Sequence, residues 1–344
     1  LATDAQSADW PMWRNDEQRS ASSSSQLPEV LHLQWTRQLA APVPAWPNEA
    51  RLHFDASYEP IVLGSRMFVG SMIDGSVIAL DTRSGEELWR FYTNGPVRLA
   101  PVAFDRRVCF GSDDGWLYCV DAVSGKLQWK VSGAPLDRGA HWHLGNARLV
   151  SFWPVRGGPV VADGVVYFGA GIWPTLGVFV RAVEAETGKV IWTNGNSHAI
   201  ADVRVDHNYL QESGLSPQGH MLVQGDMLIV PNGRSMPARL DRKTGKLHYF
   251  VQGYRNGDSR VIVDRDIALV GRTGVVSLKD GREIANRWTA AGKDAPAGWS
   301  TSKVDLFEGP MFPYKFQHAC DYRSVIDNGV AYGLDNGTVH VYDL

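Results

Sequence analysis

Short stretches of alternating apolar and polar residues recur along the chain, and each is closed by a turn signal. Arg66-Met67-Phe68-Val69-Gly70 runs toward Asp74-Gly75, and Arg107-Val108-Cys109-Phe110-Gly111 runs toward Asp114-Gly115. Val165-Val166-Tyr167-Phe168-Gly169 follows, and Val330-Ala331-Tyr332-Gly333 leads to Asn336-Gly337. Period-two alternation broken by Asp-Gly or Asn-Gly predicts β-hairpins.

A second signal follows each hairpin: a strand, an acid, a turn ending in Gly, then an aromatic four residues later. The copies read Asp81, Gly85, Trp89; Asp121, Gly125, Trp129; Glu184, Gly188, Trp192; and Asp241, Gly245, Tyr249. A fifth keeps Asp280-Gly281 but has Ser277 and Ala285 at the acid and aromatic positions, and a sixth opens at Val339-His340-Val341-Tyr342-Asp343. The acid can accept bonds from the backbone N–H groups of its turn. The Gly supplies a positive φ, and the aromatic offers a flat face to a neighbouring unit. These residues are therefore structural rather than catalytic.

Two hairpins per repeat make a four-stranded antiparallel blade. The fold class is all-β, a β-propeller with about six blades visible. Blade edges fall at 35–88, 89–128, 129–191, 192–248, 249–287 and 288–344. Residues 1–34 form an N-terminal segment in which 9–15 provide a ring-closing strand on the last blade. The turn glycines are spaced by 40, 63, 57 and 36 residues. The long intervals imply insertions near 130–158 and 193–219, with another long connection over 289–320. Loops of that length on a repeat scaffold usually carry function or packing on one face.

Composition narrows the function classes. Of 344 residues, 44% are hydrophobic, and 34 basic against 37 acidic residues leave a net charge of −3 without any basic tract. That argues against nucleic-acid binding through phosphates. No apolar run is long enough for a membrane span. The first residues show no basic and apolar leader pattern. Three cysteines make no disulfide framework. Cys109 and Cys119 face each other across a predicted turn, either as two small buried hydrophobes or as a cross-strand disulfide.

Ala79 to Trp89, Cys119 to Trp129 and Ala182 to Trp192 resemble the tryptophan-docking motif of pyrroloquinoline quinone (PQQ) type propellers, Ala-x-Asp-x-x-Thr-Gly-x-x-x-Trp. The opening Trp10-Pro11-Met12-Trp13-Arg14-Asn15-Asp16 is similar to the start of such propellers. The resemblance implies a ring of seven or eight blades, and so a piece of a longer, exported, periplasmic bacterial protein. Quinoprotein dehydrogenases, the outer-membrane β-barrel assembly lipoprotein type and large bacterial PQQ-like repeat proteins share the fold. The chain lacks the vicinal Cys-Cys pair and the Cys-x-x-Cys-His haem site that the enzymes carry. The favoured expectation is a non-catalytic binding or scaffold domain that presents its insertions to a protein partner, a ligand or further domains of the same polypeptide. The alternative is a quinoprotein oxidoreductase with PQQ and calcium.

Polar clusters in the insertions are the candidate site. His141, His143 and Arg148 sit with Trp153 in the first. His198 and Arg204 lie in the second, with His220 farther on, and His318 lies in the third beside Cys320 and Asp321. Imidazoles and carboxylates on one face could gather a ligand or metal, with Asp202, Asp206 and His207 as the metal candidates. The plainer expectation is that they pin the insertions to the ring.

Overall fold

The computed structural model describes residues 9–48, 54–145, 148–206, 209–252, 257–271, 274–286, 325–335 and 338–343. The architecture is all-β. The first sheet comprises β1 (Ile61–Leu63), β2 (Arg66–Ser71), β3 (Ser76–Asp81) and β4 (Glu87–Tyr92), in that order from inside to outside. The second holds β5 (Val102–Phe104), β6 (Arg107–Gly111), β7 (Trp116–Asp121) and β8 (Leu127–Ser132). A two-stranded ribbon, β9 (Trp142–Gly145) and β10 (Arg148–Ser151), interrupts the series.

The third sheet contains β11 (Gly157–Ala162), β12 (Val165–Ala170), β13 (Phe179–Glu184) and β14 (Val190–Asn194). A second ribbon, β15 (Ile200–Asp206) and β16 (Tyr209–Ser213), comes next. The short β17 (Gly219–His220) then adds to β11 in parallel. β18 (Leu222–Gln224), β19 (Met227–Asn232), β20 (Ser235–Asp241) and β21 (Leu247–Tyr249) form the fourth blade. β22 (Val261–Asp264), β23 (Ile267–Val270), β24 (Gly274–Ser277) and β25 (Glu283–Asn286) form the fifth. Three strands of a sixth are described: β26 (Val325–Asp327), β27 (Val330–Asp335) and β28 (Thr338–Asp343).

The core lies between blades. Phe68, Val77 and Ala79 of the first pack against Val108, Phe110 and Val120 of the second, and all six side chains are buried. Each such Val or Phe contributes about 1.5–3 kcal/mol of transfer free energy. The two cysteines are opposed in the β6–β7 register and are buried free thiols. Burial, helped by the neighbouring Cys119, pushes the Cys109 thiol up, so it stays protonated.

The repeat motif explains the spacing of blades. Asp121 Oδ1 accepts from the N–H groups of Val123 (3.1 Å) and Ser124 (2.8 Å), and Gly125 N–H closes the turn on the Asp121 carbonyl at 2.8 Å. Asp81 and Asp241 repeat this arrangement. Glu184 reaches only the Thr187 hydroxyl with its side chain. Gly125 has φ +68, and a Cβ there would lie 2.7 Å from the Trp89 ring. Trp89 Nε1–H donates to the Ala122 carbonyl of the same turn at 3.1 Å. The same indole-on-glycine contact recurs for Trp129 on Gly188 and Trp192 on Gly245, and Tyr249 stands likewise on Gly281.

Two boundaries differ from the sequence expectation. Trp89 pairs with Ala79 inside β4, so each aromatic belongs to the outer strand of its own blade and reaches forward to the next. Cuts placed before the aromatic therefore sever that strand. Nor, among the described residues, do residues 9–15 pair with the last blade. Trp10 bridges Val62 of β1 instead. The contact on the first blade's turn comes from Trp35, whose ring lies over Gly85 and whose Nε1–H donates to the Thr82 carbonyl at 2.9 Å. Leu33-Gln34-Trp35 repeats Leu127-Gln128-Trp129.

The segment before Trp35 crosses the ring axis. The carbonyls of Pro11, Glu17, Gln18 and Ser20 accept from Ala103, Val223, Val263 and Ile326, which lie on β5, β18, β22 and β26. Arg19 is fully buried. Its Nη2 donates to Met221 O (2.8 Å) and to Pro159 O of β11 (3.1 Å), and its Nη1 donates to Trp13 O (3.0 Å). Burial lowers its pKa to about 10, against the pull of Asp16, so it remains a cation at neutral pH.

Gly125→Ala is expected to cost about 2–4 kcal/mol, because strain at positive φ adds to the overlap with Trp89. Gly164 has φ +73 but nothing within 4 Å of an added Cβ. Gly164→Ala should therefore lose only about 1 kcal/mol. Thermal unfolding of both variants measures the difference, and equal losses would show that the indole contact does not require glycine.

Candidate functional site

Antiparallel order from inside to outside has a geometric consequence. The fourth strand of a blade ends at the rim where the first strand of the next begins, and the turn between second and third strands lies at that rim too. The β8–β11 and β14–β18 connections, which hold the insertions, therefore share one face with the β6–β7 turn. The acid-to-Gly turns occupy the opposite face. The first insertion spans 133–156 and the second 195–221, close to the expected positions. The connection containing His318, Cys320 and Asp321 lies outside the described residues.

At the insertion rim, a charged network fills the axis. Arg98 Nε donates to Asp113 Oδ2 at 2.6 Å, and its Nη1 to Asp55 Oδ2 at 2.7 Å. Arg156 meets the Asp113 carboxylate with two bonds, Nε to Oδ1 (2.7 Å) and Nη2 to Oδ2 (2.8 Å). The four side chains are at most 5% exposed. Burial alone would raise the Asp113 carboxyl, but Arg156 and Arg98 outweigh it and hold it below its ordinary range. Burial raises Asp55 despite Arg98, and its Oδ1 has no partner. Residues 43–48 and 54–55 cover the network: Val43 O accepts from Arg98, and Arg156 lies 6.0 Å from the Trp46 ring centre and 5.9 Å from that of Phe54.

Deeper in the channel, His220 is 3% exposed and stacks on Trp13, with ring centres 4.4 Å apart and planes at 13°. Its Nε2 accepts from Ala100 N–H at 3.1 Å and lies 3.2 Å from Glu59 Oε2. Burial lowers its pKa, opposed by Glu59. His220 is therefore a channel residue rather than a member of the loop cluster, because β17 turns the chain inward beside Gly157 and Gly158.

The first insertion does bring His141 and His143 together around Phe152, with ring centres 5.7 and 5.3 Å from it. Arg148 pins that insertion to the first blade, donating to the carbonyls of Met72 (3.1 Å) and Ile73 (2.6 Å). His198 is half-buried in the second insertion, its Nδ1 without a partner. Asp202 is exposed, at φ +55. The side chains of Arg204 and Asp206, and all of His207, lie outside the described residues.

Beside the axis, a cleft of about 190 Å³ opens between the β6–β7 turn and the first insertion. Its walls include Trp116, Trp142, Trp153 and His141, with Ser132 and Ser151 at its edge. Asp114 closes the back, accepting from Tyr118 Oη (2.7 Å), Asn94 N (3.0 Å) and Trp116 N (3.1 Å). Burial raises the Asp114 carboxyl against these bonds. The sequence reading missed the axial quartet and this cleft. One signal was available: Asp113 stands where the first repeat has apolar Ile73.

A family model described as outer membrane protein assembly factor BamB matches residues 12–140 and 73–310. The chain belongs to this family of PQQ-like repeat propellers. Among curated proteins, the dehydrogenase subunit of a quinone alcohol dehydrogenase from Gluconacetobacter polyoxogenes is 29% identical over 189 residues, 43% of this chain and 24% of that protein. The same subunit of Komagataeibacter europaeus is 34% identical over 127 residues, covering 33% and 16%. This chain thus matches about a quarter or less of those relatives' length. Among solved structures, quinohemoprotein alcohol dehydrogenase from Comamonas testosteroni aligns with TM-score 0.61 at 18% identity, over 96% of this chain and 58% of that one. BamB from Moraxella catarrhalis aligns with TM-score 0.53 at 16% identity, over 83% and 72%.

The relatives' names raise the question of a quinone. PQQ is a flat tricarboxylate that works beside a metal ion. At the insertion rim, Arg98 and Arg156 are already committed to Asp113 and Asp55, and no group of three His, Cys, Asp or Glu gathers among the described residues. The described residues do not fit the cofactor.

Two tests address the channel. Arg156→Met removes one of the two cations that meet the buried Asp113 and should cost about 3–5 kcal/mol; an unchanged melting temperature would show the pair to be dispensable. The depressed value of His220 means that the unfolded chain binds its proton more readily. Its contribution is fully present above about pH 6.5 and is lost as pH falls from there toward the folded value. Wild type should therefore lose more melting temperature than His220→Gln between about pH 7.5 and 5.5. The comparison cancels the buried carboxylates, and equal losses would remove His220 as the cause.

Proposed function

We propose that this chain is a non-catalytic binding propeller of an exported bacterial protein, presenting its insertion face to a protein partner or to further domains of the same polypeptide. The carrying observation is the axial quartet: Arg98 and Arg156 are held by Asp113 and Asp55 beneath Val43, Trp46 and Phe54, where a cofactor site would need free cations. The ribbon of the first insertion supplies a contact surface. Leu144 and Leu149 are opposed in the β9–β10 register and share a face with Trp142. They are 73%, 66% and 42% exposed, whereas His143 and Val150 point toward the ring. Clustered apolar exposure of this kind marks interaction surfaces. Membership of the BamB family supports both the binding role and export.

Quinone-dependent alcohol oxidation is the second reading, favoured by the names of the curated relatives. The protein is incubated with PQQ and calcium, desalted, and assayed for alcohol-dependent dye reduction. We expect no retained quinone and no turnover. Stoichiometric retention with turnover would overturn the binding-propeller reading.

A further inference from the structure

We infer that the cleft beside the second blade binds one neutral sugar ring, a monosaccharide or the terminal unit of a glycan; this rests on the binding-face reading and names a ligand for that face. Size comes first. At about 190 Å³ the cleft is smaller than the roughly 300–1,000 Å³ of common small-molecule sites, so it takes one ring and not a nucleotide or a dinucleotide.

Charge narrows the ligand further. No Lys or Arg lines the cleft, and the Asp114 carboxylate stands at its back, so phosphates and carboxylates are disfavoured. A cation is no better served. The Asp114 oxygens are taken by Tyr118, Asn94 and Trp116, and Lys130 Nζ already lies 4.6 Å from the Trp116 ring centre. The ligand is neutral.

The walls decide its surface. Trp142 offers a partly exposed indole, while Trp153 spends its Nε1–H on the Leu176 carbonyl at 2.9 Å and presents hydrocarbon. Indole faces favour flat, weakly polar surfaces such as the C–H face of a pyranose. Ser151 is buried and its Oγ accepts from Trp153 N–H at 3.1 Å, whereas Ser132 and His141 add hydroxyl and imidazole groups at the edges. A purely apolar side chain from a partner would desolvate these groups without replacing their bonds to water, at a cost. A pyranose meets both demands, with carbon faces toward indole and hydroxyls toward the polar edges.

Gly115 keeps the space open. It has φ +91, and a Cβ there would lie 2.7 Å from Ser151 Oγ.

The test is a panel of methyl hexosides and N-acetylhexosaminides, read by saturation-transfer NMR and indole fluorescence. At least one is expected to bind saturably with a millimolar Kd, and Trp142→Ala should weaken it at least about tenfold. Trp173 is 43% exposed and lies outside the cleft, so Trp173→Ala should leave binding unchanged. The melting temperature of each variant checks that the ring is intact. Absence of saturable binding up to tens of millimolar, wild-type affinity in Trp142→Ala, or binding of an aromatic dipeptide or inorganic phosphate in place of every sugar would each overturn the site. A sugar-negative protein without quinone turnover would leave the binding-propeller reading standing. Quinone turnover with sugar binding would do the reverse.

Discussion

An indole resting on a turn that has no Cβ sets the geometry of the ring. The close approach of Trp89 to Gly125 fixes how near one blade stands to the next, and its N–H bond to Ala122 fixes the angle. The acid of each motif does not touch the aromatic. It holds the turn so that the glycine is presented flat. Because the contact joins the outer strand of one blade to the outer turn of the following one, it works at the circumference, while the apolar core between sheets fills the space inward of it. Where the acid becomes Ser277 and the aromatic of its own copy becomes Ala285, the turn persists, closed by Gly281 N–H on Ser277 O at 2.9 Å. Backbone conformation therefore outlasts the side chains that decorate it.

Such a ring has two unequal faces. One carries the repeated turns and is committed to architecture. The other receives every connection between blades, so added residues there lengthen loops without disturbing strand register. The chain uses that freedom at 133–156 and 195–221. The axis beneath those loops is filled with ion pairs whose members are each buried, and whose separation would strand a charge. That is a stable way to fill a channel, but it leaves Arg98 and Arg156 little freedom to meet a ligand. Recognition is displaced sideways, to the cleft walled by Trp116 and Trp142.

The blades were legible because their signals are local. Alternation, Asp-Gly turns and the acid-to-aromatic spacing all fall within about a dozen residues. Trp35 carries a local signal as well, since Leu33-Gln34-Trp35 copies Leu127-Gln128-Trp129, but it lacks the preceding acid-to-Gly turn that marks the other copies. The site was far less legible. Arg98, Asp113 and Arg156 meet only because three different connections converge at the axis, and no local pattern encodes that convergence. His220 looked like a loop ligand because polar residues surround its segment, but the two-residue pairing of β17 with β11 carries it inside. His141 and His143 stand beside the aromatic rings of Phe152 and, for His141, Trp153.

The segment that crosses the axis bears on how the ring is made. Arg19 and Met221 are 202 positions apart, and the carbonyl of Ser20 meets Ile326, farther still along the chain. Residues 10–22 are synthesised before any blade they touch, so they must wait, solvated, while six inner strands appear. Contacts of such sequence separation are paid in loop-closure entropy before they are rewarded, and they slow folding. Blades can form one by one from local hairpins, but the axis is sealed only when distant strands converge on a segment that already carries left-handed residues at Arg14, Asn15, Arg19 and Ala21. Assembly is thus gradual around the circumference and cooperative at the centre, where the threaded segment ties the inner strands of successive blades together.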